Sequence, residues 1–529
     1  MNSQPSLPQI APVEESESAP IQVEHLTSGR LLAGNILWNM VGLGAPALAG
    51  IFCLPLLKRF LGTDRLGLIT LAWAIIGYFS LFDFGLSKAL TKLLAERLGQ
   101  KKFDEIQPLV STSLVLLALL GGVGSLVTIL LSPWLIEHLN IPANLRRESL
   151  HSFYWLGASL PLVLMTTGAR GVLEALQKFR LTTAIRIPMG IFTYLGPVLA
   201  LPFSRSVVAV FAVLVAGRAI ACAAYVWACL HVLPELRRAP SVSKALAGPL
   251  LRFGGWISVS SIVAPFMITF DRFAIAALIS VAAVAYYAVP FEVVFKLMLV
   301  PGSLIMVLFP AFSTAGSADR GRLTFLYESG VKYIFAGLFP ITLVLIAFAP
   351  EGLSLWLGKD FALHSTPVAR WLLAAIFVNG VAHVPFAHLQ SEGRPDLTAK
   401  FHLLELPLYA AALFVLASKL GIEGVAVAWL LRVTLDAVLL FLFSHRLLPE
   451  SKIITGKLPA MLAAALAAFV AAGTTASLGI RIVVVCGSTV LAGAAMWFWM
   501  FTARERKSLQ SLLQWRGAVS SSISLHSSR

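Results

Sequence analysis

Residues 253–312 read FGGWISVSSIVAPFMITFDRFAIAALISVAAVAYYAVPFEVVFKLMLVPGSLIMVLFPAF. A run of about twenty apolar residues is long enough to cross the hydrocarbon core of a bilayer as a helix. This segment holds two such runs, 253–278 and 282–312, and its charges are Asp271, Arg272, Glu292 and Lys296. Each charge at the middle of a membrane helix costs roughly 2.5–3.5 kcal/mol on insertion scales. A segment that served only as an anchor would have no use for them. The segment therefore reads as part of a multi-span membrane protein with a polar path through it.

The rest of the chain repeats the pattern. Its 529 residues are 58% hydrophobic and 13% charged, with a mean hydropathy of +0.83, whereas soluble domains carry about 25% charged residues. In lipid, every backbone polar group must be satisfied within the protein, and a helix does this within one segment. Further apolar runs lie near 31–57, 66–87, 109–132, 152–173, 183–203, 206–233, 330–349, 366–389, 401–417, 422–444, 458–478 and 480–502, so about fourteen transmembrane helices are expected. Arg218, Arg432 and Asp436 interrupt these runs as Asp271, Glu292 and Lys296 interrupt theirs, while Arg272 falls near the outer end of its span.

The net charge is +15. Nucleic acid is a poor partner for it, because the cations are scattered through short loops between spans. With the N-terminus inside, the inner loops outnumber the outer ones in Lys and Arg by more than two to one, which predicts cytoplasmic N- and C-termini and an even number of spans. Cys53, Cys222, Cys229 and Cys486 lie in apolar runs without a C-x-x-C spacing, so they read as small buried hydrophobes. The polar stretch before Arg30 lacks the basic start of a cleavable signal and reads as a disordered tail.

A faint repeat divides the chain. Trp38 and Trp256 lie early in the first and seventh spans, 218 residues apart, and Gly85 faces Gly302 at an offset of 217. The turn after the first span shares no identical residue at that offset. Parallel repeats of this kind place two halves in the same orientation. The expected organisation is a cytoplasmic tail 1–30, a six-helix lobe 31–233, a cytoplasmic linker 234–252, a second six-helix lobe 253–446, an additional helix hairpin 457–502 and a tail 503–529.

Residues Asn35 to Glu96 read NILWNMVGLGAPALAGIFCLPLLKRFLGTDRLGLITLAWAIIGYFSLFDFGLSKALTKLLAE. The Asn- and Trp-bearing first span, the L-G-T-D-R-x-G turn, and F-D-F-G-L-S-K-A with its basic continuation resemble the polysaccharide-exporter branch of the multidrug/oligosaccharidyl-lipid/polysaccharide (MOP) superfamily, which includes Wzx-type O-antigen flippases. The resemblance is strong over 31–105 and looser over 31–502. It implies two six-helix lobes around a central cavity, alternating access, and movement of an undecaprenyl-diphosphate-linked oligosaccharide from the cytoplasmic to the periplasmic leaflet of the bacterial inner membrane. It implies no cofactor, a proton or sodium gradient as candidate driving force, membrane lipids as surroundings, and a polysaccharide polymerase and chain-length regulator as candidate partners.

Such a cargo needs cations for its phosphates, and arginine pairs bidentately with phosphate oxygens. Arg218, deep in its span with no acid of its own, is the leading candidate; the competing reading is an ion pair with Asp271 or Asp436. Lys296, Arg432, Arg170 and Arg272 are the further candidate cations, with helix-end anchoring the competing reading for Arg170 beside Glu174 and interfacial snorkelling that for Arg272. Glu292, Asp271, Asp436 and Asp83 are candidate coupling or gating acids. Glu292 with Lys296, and Arg432 with Asp436, are each spaced to pair along one helix face, which would make them structural glue. Lys88, Lys92, Arg97, Lys101 and Lys102 read as a headgroup-facing continuation of the second span.

Three other activities fit less well. A MATE-type antiporter is expected to carry an acid in its first span, and 31–57 has none. A lipid II flippase is expected to bring arginines into its first two spans. A membrane polymerase or glycosyltransferase needs a large external loop, and the longest here, near 133–151 and 350–365, are short.

Overall fold

The computed structural model describes residues 29–79, 83, 85–100, 102–237, 241–243, 246, 248, 266–315, 319–453, 456–475, 477–503, 505 and 506, without the side chains of 29–43, 78, 79 and 99. The 1–30 tail up to residue 28, much of the 234–252 linker, the start of the seventh span with Trp256, and 507–529 lie outside the described residues.

Among the described residues every regular element is helical. The first set is α1 (Gly29–Leu61), α2 (Thr63–Phe79), α3 (Leu86–Gly99), α4 (Ile106–His138), α5 (Arg146–Ala175), α6 (Phe179–Ala200) and α7 (Val207–Val232). The chain continues with α8 (266–278), α9 (Val281–Phe295), α10 (Leu299–Ala315), α11 (Arg320–Ala347), α12 (Ala349–Leu357), α13 (Lys359–Ser391) and α14 (Pro395–Leu447). It closes with α15 (Leu458–Thr474) and α16 (Leu478–Ala495). Helix starts are set by local chemistry: Ser206, Ser280 and Asp319 cap α7, α9 and α11 by accepting from Val208, Ala283 and Arg322 backbone N–H groups.

Each of the fourteen expected stretches falls on helix, the seventh from residue 266 onward. The structure interrupts two of these stretches and joins two others across a sharp fold. The second stretch, 66–87, is not continuous: α2 stops at Phe79 and α3 begins afresh at Leu86. Asp83 starts the new helix, accepting from the N–H groups of Gly85 at 3.0 Å and Ser87 at 3.2 Å, so the basic face of Lys88, Lys92 and Arg97 sits on a separate helix. The eighth stretch, 282–312, is interrupted by a tighter 3-10 turn at Lys296–Met298. Pro301 follows, and its ring excludes a bond to the carbonyl four residues earlier. Finally, α14 runs on as one helical stretch across the expected break between 417 and 422, but it is folded double there: Gly421 adopts φ 60°, ψ −140°, a conformation essentially reserved for glycine. The stretches 395–420 and 422–447 are its two arms.

Ten helical runs among the described residues are long and apolar enough to cross a membrane, the folded α14 counted as one. The outward face of α4 shows what surrounds them: Leu119, Val123, Leu126 and Leu130 are all exposed, as lipid contact requires. The chain is an all-α, multi-pass membrane protein. Packing runs α4 on α5, α5 on α7, α1 and α7 on α6, then α11 on α13, α13 on α14, and α10 on both α11 and α13. The helices before the linker meet the later ones through α2 on α9 and α1 on α12. The final hairpin, α15 and α16, lies against α11.

Candidate functional site

Most of the charges that interrupt the apolar runs converge on α8, α9 and α14. Asp271 on α8 is fully buried and accepts from the Tyr287 hydroxyl of α9 and, at 2.7 Å, from the Arg272 N–H. Arg272 turns the other way and donates to Glu292 of α9 at 2.9 Å, over the Phe291 ring. Glu292 also lies 4.0 Å from Lys296, whose side chain is 47% exposed. The four charges thus form a line from a buried carboxylate to a half-exposed ammonium. The sequence pattern offered Arg272 as an interfacial, snorkelling cation; its side chain is 7% exposed and held by an ion pair instead. Glu292 pairs with Lys296 as the spacing suggested, but its closer partner is Arg272.

Arg432 builds a second group. The fold at Gly421 lays the two arms of α14 side by side, and Arg432 on the second arm reaches Glu405 on the first at 3.5 Å. Its guanidinium also sits over the Tyr409 ring and 3.9 Å from Met267 Sδ of α8. Met267 and Asp271 are one turn apart on α8 and share a face, so this group adjoins the first. The expected Arg432–Asp436 pair is replaced by Arg432–Glu405, and Asp436 Oδ1 is buried without a hydrogen-bond partner.

Arg218 is different. It lies on α7, which packs on α5 and α6. Its Nε is buried without a hydrogen-bond partner, and no carboxylate among the described residues pairs with it, neither Asp271 nor Asp436. Arg170 pairs with Glu174 at 3.5 Å on an exposed part of α5. Asp83 is occupied by the start of α3. The structure therefore brings Asp271, Arg272, Glu292, Lys296, Arg432 and Asp436 into one region and leaves Arg170 and Asp83 in local roles.

Two functional-looking groups escaped the sequence reading. Glu405 is fully buried, yet it lies one turn into the 401–417 stretch and resembled an ordinary helix-end acid. Glu505, within the stretch read as the C-terminal tail, is buried against α11. There it accepts from Ser329 at 2.6 Å and from Lys332 at 3.2 Å, and also from the Thr502 backbone and hydroxyl. Burial alone would raise the Glu505 pKa; the bonds from Ser329, Thr502 and the Lys332 ammonium outweigh it and hold the carboxyl below its usual range. Among the described residues no three His, Cys, Asp or Glu side chains gather as a metal site.

Among the described residues, a helical bundle thus holds a string of ion pairs and, apart from it, a partly buried arginine that no carboxylate meets. Residues 32–315 match the family described as polysaccharide biosynthesis protein. A Shigella flexneri protein named as an O-antigen transporter is 28% identical over 408 residues, covering 77% of this chain and 96% of that protein. Among solved structures, the lipid II flippase MurJ in an inward closed conformation matches with a TM-score of 0.68 at 11% identity, covering 88% of this chain and 99% of that one. An inward-facing multidrug resistance MATE family transporter of the MOP superfamily matches with a TM-score of 0.64 at 14% identity, covering 78% of this chain and 95% of that one. At those identities the two structures speak for the fold alone. The chain belongs to the polysaccharide biosynthesis protein family.

Proposed function

We propose that this protein carries an undecaprenyl-diphosphate-linked oligosaccharide from the cytoplasmic to the periplasmic leaflet of the bacterial cytoplasmic membrane, by alternating access, in the making of a surface polysaccharide such as O-antigen. In this reading fourteen spans form two six-helix lobes, 31–233 and 253–446, joined by the 234–252 linker, with 457–502 as an added hairpin and both termini cytoplasmic. The family and the likeness to a protein named as an O-antigen transporter support the cargo class. The observation that carries the reading is Arg218: a partly buried guanidinium, deep in a membrane helix with no described acid paired to it, is unfavourable unless an anion visits it. A diphosphate supplies that anion.

The cations Arg272, Lys296 and Arg432 would extend the path, with Glu292, Asp271 and Asp436 releasing or retaking them as cargo passes. Arg170 and Asp83 would act at the cytoplasmic approach. A proton or sodium gradient would drive the cycle, and a polymerase and chain-length regulator would take over the product. Lipid II is the second reading, favoured by the likeness in fold to a lipid II flippase.

Deletion of the gene tests the proposal. Single lipid-linked repeat units should accumulate on the cytoplasmic face while peptidoglycan precursors continue to cross. Single units still reaching the surface would point to a polymerase, and arrested peptidoglycan synthesis to lipid II; either result would overturn the reading.

A further inference from the structure

Between described residues, the hydrogen bonds that join α1–α7 to α8–α16 lie at one end of the bundle, where the α1–α2, α4–α5 and α8–α9 turns are. One runs from the Val281 N–H to the Asn140 carbonyl at 3.4 Å, and those from Trp356, Lys58 and Asn140 each fill a carbonyl that its own helix cannot satisfy. Pro55 has no N–H to offer the carbonyl of Ile51 four residues earlier; the Trp356 indole of α12 donates to that carbonyl at 2.6 Å. Leu357 ends α12, and the last carbonyls of a helix have no partner. The Lys58 ammonium of α1 donates to the Leu357 carbonyl at 2.8 Å, at a helix end that favours a cation. Ala276 and Ala277 lie in the last turn of α8. The Asn140 backbone N–H donates to Ala276 at 2.9 Å, and its side-chain amide to Ala277 at 2.7 Å. Beneath these contacts the backbones of α2 and α9 touch: a Cβ at Gly67 would stand 1.9 Å from the Val281 carbonyl oxygen.

We propose that these reciprocal caps are a latch that holds the outer ends of the two halves together, and that their joint release is the outward-opening step. The inference rests on the alternating-access reading above. Its chemistry suits a gate. Among the described residues no ion pair crosses this contact, and once the ends part, water caps the same carbonyls. Each bond then biases the equilibrium toward the closed state only by about fivefold, the net worth of a hydrogen bond exchanged with water. Several such bonds close the gate firmly, yet it stays within reach of a cargo's differential binding. Gly67 allows the closure, since any side chain there would wedge α2 from α9.

The test is labelling of a cysteine placed under the latch. In a chain whose four native cysteines are replaced, Val281→Cys is shielded, because Val281 is fully buried against α2. With a membrane-impermeant maleimide on intact cells, Lys58→Gln, Trp356→Phe and Asn140→Ala should each raise the labelling rate about fivefold, normalised to protein level. Gly67→Ala should raise it as well. Pro55→Ala returns an N–H to the Ile51 carbonyl, so it should match Trp356→Phe and add nothing to it. Because Pro55→Ala also improves the helix, a rise there is not a symptom of misfolding. Unchanged labelling across the set would overturn the latch, and so would additive effects of Pro55→Ala and Trp356→Phe. Labelling needs no cargo, so the latch stands or falls separately from the glycolipid reading, which the gene deletion decides.

Discussion

Arg432 and Glu405 meet at 3.5 Å, although a straight helix with its 1.5 Å rise would hold them about 40 Å apart. The meeting is made by one residue: Gly421 folds α14 onto itself, so both charges reach the same buried place from neighbouring arms. Neither is tolerable alone, because both are almost wholly withdrawn from solvent. The pair joins the Asp271–Arg272–Glu292–Lys296 line through α8, so charges from α8, α9 and both arms of α14 share one region in the second half of the molecule.

Arg432→Gln should therefore destabilise the protein by about 3–5 kcal/mol, since it leaves the Glu405 carboxylate buried without a counter-charge. Adding Glu405→Gln should recover much of the loss. Thermal unfolding of the detergent-solubilised variants measures both. A double variant no more stable than Arg432→Gln alone would mean the pair is not a unit.

Glu292 separates structure from transport. Glu292→Gln keeps a carbonyl acceptor for Arg272 and should leave protein levels near normal, whereas Glu292→Leu strands a buried guanidinium and should lower thermal stability by about 1–3 kcal/mol. If the charge on Glu292 is exchanged during the cycle, Glu292→Gln should still export poorly despite its stability. Surface polysaccharide and protein level, measured together, distinguish the two effects.

The C-terminal lock predicts a pH dependence. The Glu505 carboxyl is held below its ordinary range, so the stabilisation it brings is complete above the unfolded value of about 4.3 and is lost as pH falls through the lowered folded value. At neutral pH Glu505→Gln should melt at a lower temperature than the unaltered protein, and the gap should close in acid. A gap independent of pH would assign the difference to packing rather than to the carboxylate.

Much of the fold was legible because membrane helices are written as long apolar runs, and all fourteen runs carry helix. The turn at Gly421 was legible as the gap between 417 and 422. The break between α2 and α3 was not, because the stretch around Asp83 reads as apolar on both sides and the cap that starts α3 is a matter of backbone geometry. The candidate charges were legible as individual residues, but their partners only partly. Spacing along one helix proposed Arg432–Asp436, whereas the tertiary fold chose Glu405; it proposed Glu292–Lys296, and the fold added Arg272 from α8. Pairings between helices depend on how the helices meet, which periodicity does not encode. Glu405 was passed over because it sits near a span end, where a charge is ordinarily unremarkable, and Glu505 because it lies in the polar stretch after the last apolar run.

The most direct test of the central claim is Arg218→Ala in a strain lacking the chromosomal gene. Lipid-linked repeat units on each face of the membrane would be measured at matched protein level. The account predicts a stable protein, units retained on the cytoplasmic face and loss of surface polysaccharide, with Arg218→Lys recovering part of the export. Normal display of polysaccharide by Arg218→Ala would contradict it.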